Sequence, residues 1–235
     1  MRIFLAGATG VIGRRLVPLL VAAGHQVTDT TRSADKAAGL TATGAVACVV
    51  DVYDAAALTR AVVAARPEVV IHQLTDLPQV LDPAAMGDAL MRNARLRIEG
   101  SANLIAAMLA AKASRLIVQS IAFTYAPGRE PHGEDDPLNS GNVSANAVAT
   151  MERAATVTPG IAGLVLRYGR LYGPGTCAAQ PDGKGFVHVD AAAHAALLAV
   201  TRGAPGLYNI AEDDGAVTIA KARAALGFDP AFRVA

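Results

Sequence analysis

The sequence predicts an α/β fold with a doubly wound parallel sheet. Short apolar runs rich in β-branched residues alternate with longer helical patterns along the chain, and a glycine-rich turn directly follows the first apolar run. Hydrophobic residues make up 52% of the 235 residues and charged residues only 17%, which is enough apolar material for a well-packed core.

The alternation places the elements in order. Strands are predicted at residues 2–6, 25–30, 46–50, 69–71, 115–119, 161–166 and 206–210. Helices are predicted at 11–23, 33–40, 54–66, 84–112, 144–156, 190–200 and 217–226. Gly24 and Pro67 mark two of the helix ends. Because a helix follows each strand, neighbouring strands are expected to run parallel, with helices on both faces of the sheet.

Charge and cysteine content exclude several other classes of protein. Lys and Arg number 21 against 20 Asp and Glu, so the formal net charge of +1 favours neither a nucleic-acid partner nor an anionic membrane. No apolar run reaches the length of a membrane span, and the first run is too short for a signal peptide. Cys48 and Cys177 fit no metal or disulfide pattern. We therefore expect a cytoplasmic protein without a bound metal.

The segment 7–13, Gly-Ala-Thr-Gly-Val-Ile-Gly, lies between the first strand and the first helix. Gly7 would permit the tight turn, Gly10 would let a pyrophosphate approach the backbone, and Gly13 would let the helix pack closely on the sheet. Free N–H groups at the helix N-terminus would then meet the negative charge. The motif predicts a Rossmann-type dinucleotide site; a purely structural glycine turn is the alternative.

This motif and several later ones resemble the extended and atypical short-chain dehydrogenase/reductase family, the NAD-dependent epimerase/dehydratase group. The resemblance covers most of the chain. Its further landmarks are Asp51, Val70-Ile71-His72, Ile117-Val118-Gln119-Ser120, Glu134-Asp135-Asp136-Pro137-Leu138, Leu166-Arg167-Tyr168, Tyr172-Gly173-Pro174-Gly175 and Val187-His188-Val189-Asp190. The resemblance implies a nicotinamide dinucleotide cofactor and a small-molecule substrate.

The resemblance also implies which residues contact the cofactor: Gly7, Thr9, Gly10, Val11, Ile12, Gly13, Thr31, Arg32, Asp51, Val52, Leu74, Thr75, Arg167 and Tyr168. The family usually has an acid where Thr31 stands, and the next residue, Arg32, suits a 2′-phosphate. This favours NADP. Asp29 lies on the same strand face as Thr31 and could replace the missing acid, so NAD is the alternative.

The catalytic residues of the family are absent from their usual positions. Family members carry a Ser or Thr after strand five and a Tyr-x-x-x-Lys pair on the next helix, which exchange a proton with the substrate. Here Ile121, Ser144 and Val148 occupy the serine, tyrosine and lysine positions, and no Tyr-x-x-x-Lys occurs anywhere in the chain. The candidates that would border the nicotinamide are Ser120, Tyr125 and Ser144. Tyr125 is the best candidate for the general acid. The alternative is that Tyr125 has only a structural role and packs on the loop.

Other polar residues leave alternatives open. Arg170 replaces an Asn of the family and points to an anionic substrate or to a surface salt bridge. His72 is interpreted as a core histidine and His132 as a solvated loop histidine. Arg92, Arg95 and Arg97 form a basic cluster on the long helix, which we interpret as solvated or dimer-facing. The family often pairs through these helices, so a homodimer is plausible.

The substrate lobe of this family is reduced here. Only residues 176–185 separate the Tyr-Gly-Pro-Gly motif from the next strand-like run. We expect one domain over residues 1–235, with a small lobe from about 168–187 and 203–235. The pocket should be shallow, roofed by the loops 126–143 and 173–187, and too small for nucleotide sugars.

Two functions follow from these expectations. The first is an NAD(P)-binding oxidoreductase or epimerase-like enzyme that acts on a small carbonyl or hydroxyl compound with non-standard proton donors. The alternative is a non-catalytic sensor that binds the dinucleotide while partner proteins read its redox state. The missing triad favours the sensor, and the retained nicotinamide-side motifs favour the enzyme.

Overall fold

The computed structural model describes residues 1–78 and 83–234. The strands are β1 (Arg2–Ala6), β2 (Gln26–Thr31), β3 (Val46–Val49), β4 (Val69–His72), β5 (Arg115–Ile121), β6 (Ala162–Tyr168), β7 (Arg170–Tyr172), β8 (Phe186–His188) and β9 (Gly206–Ile210). The helices are α1 (Gly13–Ala22), α2 (Ala34–Thr41), α3 (Ala55–Ala65), α4 (Pro83–Arg95), α5 (Ser101–Ala110), α6 (Val143–Val157), α7 (Val189–Ala199) and α8 (Ala220–Leu226). A π-helical turn at Leu96–Gly100 joins α4 to α5.

Seven strands form one parallel sheet in the order β3-β2-β1-β4-β5-β6-β9. The predicted doubly wound α/β fold is therefore confirmed. All seven carboxyl ends lie at one edge, and the chain changes direction across the sheet between β1 and β4. A crevice at such a switch point is the usual ligand site of this architecture.

Apolar side chains of the strands alternate between two cores. Ile3 and Leu5 of β1 face the core that contains α1 and α7, while Phe4 and Ala6 face the core that contains α3 and α5. The alternation follows from the two-residue period of a strand, and burial on both faces explains why the strands read as continuous apolar runs. No helix in the described ranges is long and apolar enough to cross a membrane.

Two features differ from the sequence prediction. The helix expected at 84–112 is interrupted by the π-helical turn. The residues of the turn, Leu-Arg-Ile-Glu-Gly, include no proline, and a single glycine inside a helical pattern does not indicate such a turn. A small parallel pair, β7 with β8, is not among the strands predicted from the sequence. Each strand has three residues, which is too short to show an alternating pattern.

Asp29 is a buried carboxylate in the middle of β2. Its side chain is fully buried, and neither of its oxygens has a hydrogen-bond partner in the described structure. It stands beside Leu5 of β1 and Ala47 of β3 rather than at the carboxyl end of the strand. Desolvation raises the pKa of Asp29 to about 6. Ionisation at neutral pH therefore destabilises the fold.

We predict that Asp29→Asn removes a pH-dependent loss of stability. Because the pKa of Asp29 is about 6 in the folded chain and lower in the unfolded chain, the native state binds the extra proton, and stability falls as pH rises towards 6. Urea unfolding should show that the wild-type protein loses up to about 3 kcal/mol relative to Asp29→Asn between about pH 4 and pH 7. A wild-type to variant difference that is constant over this range would contradict the assignment.

Candidate functional site

A glycine elbow joins β1 to α1 at the switch point of the sheet. Gly7 has a φ of +104°, and a Cβ added to it would lie 2.5 Å from the backbone of Gln73. A Cβ on Gly13 would lie 2.2 Å from the Gly7 carbonyl oxygen. Gly10 donates its N–H to the same carbonyl. The two outer glycines are thus required by packing within the chain itself.

Gly10 is different, because an added Cβ would meet only the Gly7 oxygen, at 3.4 Å. Gly10 is exposed, Val11 is half-buried and Ile12 packs into the core. The Thr9 carbonyl accepts a hydrogen bond from Arg14 Nε at 2.8 Å. The turn therefore keeps an open outer face in front of the N-terminus of α1, which fits the diphosphate of a dinucleotide.

Two cavities lie along the Tyr-Gly-Pro-Gly segment, and the smaller one reaches this elbow at Val11. The smaller, of about 340 Å³, is lined by Val11, Arg14, Arg15, Pro174 and Gly175. The larger, of about 520 Å³, is lined by residues 172–176, by Ala179, Gln180 and His188, and by Arg233. Both are open to solvent and share the Tyr-Gly-Pro-Gly segment, so that segment faces the elbow across an accessible space.

The ends of β2 and β3 carry the residues predicted for the adenosine side. Thr31 is buried, and its hydroxyl accepts the Ser33 N–H and donates to the Ser33 carbonyl. Arg32 is exposed. The Asp51 carboxylate is exposed and accepts the Tyr53 N–H at 2.9 Å. Val52 is buried against Gly100. The alternative role for Asp29 at this edge does not fit its position, two residues inside the strand and fully buried.

The end of β4 is held by side-chain hydrogen bonds. His72 Nδ1 accepts the Leu74 N–H, and its Nε2 pairs with Ser101 Oγ at 3.0 Å. Burial lowers the pKa of His72 to about 4, so the ring is neutral. The interpretation of His72 as a satisfied core histidine is confirmed. The Leu74 carbonyl accepts from Gln119, and Thr75 is exposed.

A buried ion pair lies behind the carboxyl ends of β5 and β6. Arg167 Nη2 and Nε donate to the two carboxylate oxygens of Glu152 at 2.7 and 2.9 Å, and both side chains are almost fully buried. Ser120 donates to the same carboxylate at 2.6 Å. Burial opposes the charge of Arg167, yet the hydrogen bonds and charge of Glu152 raise its pKa above the usual value. The guanidinium of Arg167 therefore stays charged.

Tyr125 belongs to this network. Arg167 Nη1 donates to the Tyr125 hydroxyl at 2.8 Å, and the hydroxyl donates to Asn209 Oδ1 at 2.7 Å. Burial raises the pKa of Tyr125, against the opposite effect of the Arg167 charge. The backbone N–H of Asn209 donates to Glu134 Oε1 on the loop at 2.9 Å. The hydroxyl thus has both its donor and an acceptor function engaged.

The remaining predicted residues are placed as follows. Tyr168 is buried, and its hydroxyl accepts from Gln73 Nε2 at 3.2 Å. Burial raises the pKa of Tyr168. Ser144 is half-buried in the first turn of α6, Val148 is fully buried one turn later, and Ile121 is half-buried at the end of β5.

Two interpretations of polar residues are wrong. His132 is not a solvated loop residue: its ring stacks on Tyr125 with centroids 5.1 Å apart, and Nδ1 lies 3.0 Å from Asp136. Arg97 is not on the solvated face of its helix but only 6% exposed, because it lies in the π-helical turn, whereas Arg92 and Arg95 remain exposed. Neither environment can be predicted from the local sequence, since each depends on tertiary packing.

The network residues Asn209, Gln73 and the Glu134 side chain were not selected from the sequence. Asn209 is the penultimate residue of β9 and Gln73 directly follows β4, so both lie at the carboxyl edge where ligands of such sheets bind. Their position at this edge is the one feature of the sequence by which these residues could have been identified as part of the site. In the described part of the chain, no three His, Cys, Asp or Glu residues cluster as metal ligands would.

Comparison with known proteins agrees with this geometry. Residues 3–211 match the model of the NAD dependent epimerase/dehydratase family. A curated relative from a Streptomyces species, the 3-diazoavenalumate denitrifying reductase, is 40% identical to this chain over 92% of the chain and 77% of the relative.

Solved structures share the fold. A UDP-glucose 4-epimerase of Thermotoga maritima, crystallised with UDP-glucose, aligns with a TM-score of 0.81 and 19% identity over 99% of this chain and 94% of that one. A UDP-glucose 4-epimerase of Thermus thermophilus in complex with NAD aligns with a TM-score of 0.76 and 23% identity over 92% of this chain and 79% of that one.

The glycine elbow yields a matched pair of variants. Gly13→Ala should lower the free energy of unfolding by about 1–3 kcal/mol, because the new methyl overlaps the Gly7 carbonyl. Gly10→Ala should change it by less than about 0.5 kcal/mol. Gly10→Ala should nevertheless raise the Kd of NADPH about tenfold or more, since its methyl occupies the open face. Urea unfolding and calorimetric titration measure the two effects; unchanged NADPH binding in Gly10→Ala would contradict a diphosphate at this elbow.

Proposed function

The chain belongs to the NAD-dependent epimerase/dehydratase family, and from this premise we propose that it is an NAD(P)H-dependent reductase that replaces the diazonium group of an aromatic compound with hydrogen. The observation that carries the proposal is the set of residues at the family's proton-transfer positions, Ile121, Ser144 and Val148. The Streptomyces relative, whose name specifies a diazo compound and a denitrifying reductase, supports the choice of substrate.

Reduction of a carbonyl and reduction of a diazonium ion differ in their need for a proton. Reduction of a carbonyl turns its oxygen into an alkoxide, which a general acid must protonate. In a diazonium ion the carbon–nitrogen bond breaks with its electron pair on nitrogen, and N₂ leaves as a neutral molecule. A hydride then completes the carbon–hydrogen bond, so a cation and a hydride give a neutral arene and N₂. No proton enters or leaves.

When bound, a reduced nicotinamide supplies this hydride and retains the positive charge on its oxidised ring. The missing Tyr and Lys have a second consequence for such a substrate. A phenolate and an amine are nucleophiles that attack diazonium ions. With Ser144 and Val148 at those positions, the chain presents neither group there.

We propose that the glycine elbow holds the diphosphate through Gly7, Thr9, Gly10 and the first residues of α1. Arg32, an exposed cation after a strand that ends in Thr31, would hold the 2′-phosphate of NADP. NAD is the alternative. Asp51, Val52, Leu74, Thr75, Arg167 and Tyr168 complete the proposed cofactor contacts.

Of the three proposed site hydroxyls, two act by positioning. Ser120 and Tyr125 hold the Glu152–Arg167 pair, which fixes the ends of β5 and β6 beneath the substrate. Ser144 remains as a hydroxyl for which no hydrogen bond is found within residues 1–78 and 83–234, and we propose that it faces the substrate. We also propose that the chain is a single domain and forms a homodimer in the cytoplasm.

Isotope tracing tests the proposed reaction. With a stable aryl diazonium salt and NADPH deuterated at the transferred position, the arene should carry deuterium at the carbon that lost nitrogen, and N₂ should be released in equal amount. In D₂O with unlabelled NADPH, the arene should carry none. A reaction without protein gives the uncatalysed background.

Other outcomes select the alternatives. Deuterium taken up from D₂O, or consumption of small ketones in place of the diazonium salt, would overturn the proposal and favour the carbonyl enzyme. Tight dinucleotide binding with no turnover of either class would favour the sensor, to which the missing triad also points.

We predict that the wild-type protein binds NADPH more tightly than NADH. Arg32→Ala should reduce this preference by about tenfold, because it removes a charge-assisted contact to the 2′-phosphate. Calorimetric titration of both cofactors gives the ratio of Kd values. Equal affinities in the wild-type protein, unchanged by the substitution, would reject NADP as the cofactor.

A further inference from the structure

Phe123 and Arg170 form an exposed pair at the carboxyl edge of the sheet. Phe123 follows β5 by two residues, and Arg170 begins β7 two residues after β6 ends. Ile121 and Tyr168, the last residues of β5 and β6, are register partners. The Arg170 guanidinium carbon lies 5.0 Å from the centroid of the Phe123 ring. The pair therefore stands over the edge at which ligands of such sheets bind.

The backbone around both residues is held by hydrogen bonds to neighbouring segments. On either side of Phe123, Ala122 N–H donates to the Tyr168 carbonyl at 2.8 Å, and the Thr124 carbonyl accepts from Asn139 N–H at 2.7 Å. Arg170 N–H donates to the Gly185 carbonyl at 2.8 Å. The Phe123 ring nevertheless remains 46% exposed. The exposed ring therefore offers an apolar surface directly beside the Arg170 guanidinium.

Arg170 differs in its ion pairing from the other arginines that lie over aromatic rings. Three other arginines lie over aromatic rings, and each also has a carboxylate within 4 Å: Arg95 with Glu99, Arg167 with Glu152 and Arg233 with Glu212. For Arg170 no ion pair is found in the described ranges, so the surface salt bridge considered from the sequence is not formed there. This guanidinium is free to take an anion from outside.

We propose that Phe123 and Arg170 form a binding subsite for an aromatic carboxylate, in which the ligand ring packs on Phe123 and the carboxylate pairs with Arg170. The planar guanidinium suits a carboxylate, and the adjacent ring suits an aryl group joined to it. Taken with the proposed function, on which only this step rests, the substrate is an aryl diazonium that bears a carboxylate.

Three small probes separate the two contacts. Benzoate has both the ring and the charge, benzamide has only the ring, and cyclohexanecarboxylate has only the charge. NMR titration of the protein saturated with NADP gives a Kd for each. Arg170→Gln should raise the Kd of benzoate about tenfold and leave that of benzamide within about twofold.

Phe123→Leu, which keeps an apolar side chain, should weaken benzoate and benzamide about threefold to tenfold and leave cyclohexanecarboxylate unchanged. Lys221→Gln is the matched control, because Lys221 on α8 is also a cation over an aromatic ring, 4.8 Å from the Tyr208 centroid. It should change none of the three values.

The subsite is overturned if benzoate does not bind, or if Arg170→Gln weakens benzamide as much as benzoate. It is also overturned if Lys221→Gln has the same effect as Arg170→Gln. These titrations need no turnover, so they test the subsite independently of the proposed reaction. Benzoate binding that depends on both residues supports the subsite even where the diazonium salt is not reduced.

Discussion

The ion pair between Arg167 and Glu152 joins more parts of this molecule than any other polar contact described above. Arg167 belongs to β6 and Glu152 to α6, while Ser120 of β5 and Tyr125 of the following loop bind the same two groups. Tyr125 continues to Asn209 of β9. Loss of one partner would leave a buried charge, at a cost of about 3–5 kcal/mol. The carboxyl edge of three adjacent strands therefore depends on this pair.

That dependence bears on how the site can work. In a site that performs proton transfer, hydroxyl groups near the substrate must be free to exchange a proton. Here the two hydroxyls nearest the ion pair, on Ser120 and Tyr125, are engaged in holding it. A rigid edge with occupied hydroxyls suits a reaction in which the substrate provides its own leaving group, and the chain needs only to orient and enclose it.

The sequence predicts the fold well where the signal is local. The seven sheet strands and the glycine elbow are found as expected, because apolar runs and the steric demands of Gly7 and Gly13 are properties of short segments. The site is less predictable. The surroundings of Arg97, Asp29 and His132 all depend on which distant element packs against them. From sequence alone, a charged residue in a strand or helix is expected to be exposed. Motif spacing likewise locates Tyr125 near the site but does not reveal its bonds to Arg167 and Asn209.

The π-helical turn between α4 and α5 determines which residues of this helical segment face inward. Each of its i-to-i+5 hydrogen bonds spans one residue more than an α-helical hydrogen bond. In a regular α-helix, one additional residue rotates everything beyond it by about 100°. The turn at Leu96–Gly100 takes up that residue locally, so α5 packs in the same apolar layer as α3 and Leu96, while Arg97 is buried as well. The consequence is a cation enclosed in an apolar layer, where burial lowers the pKa of Arg97.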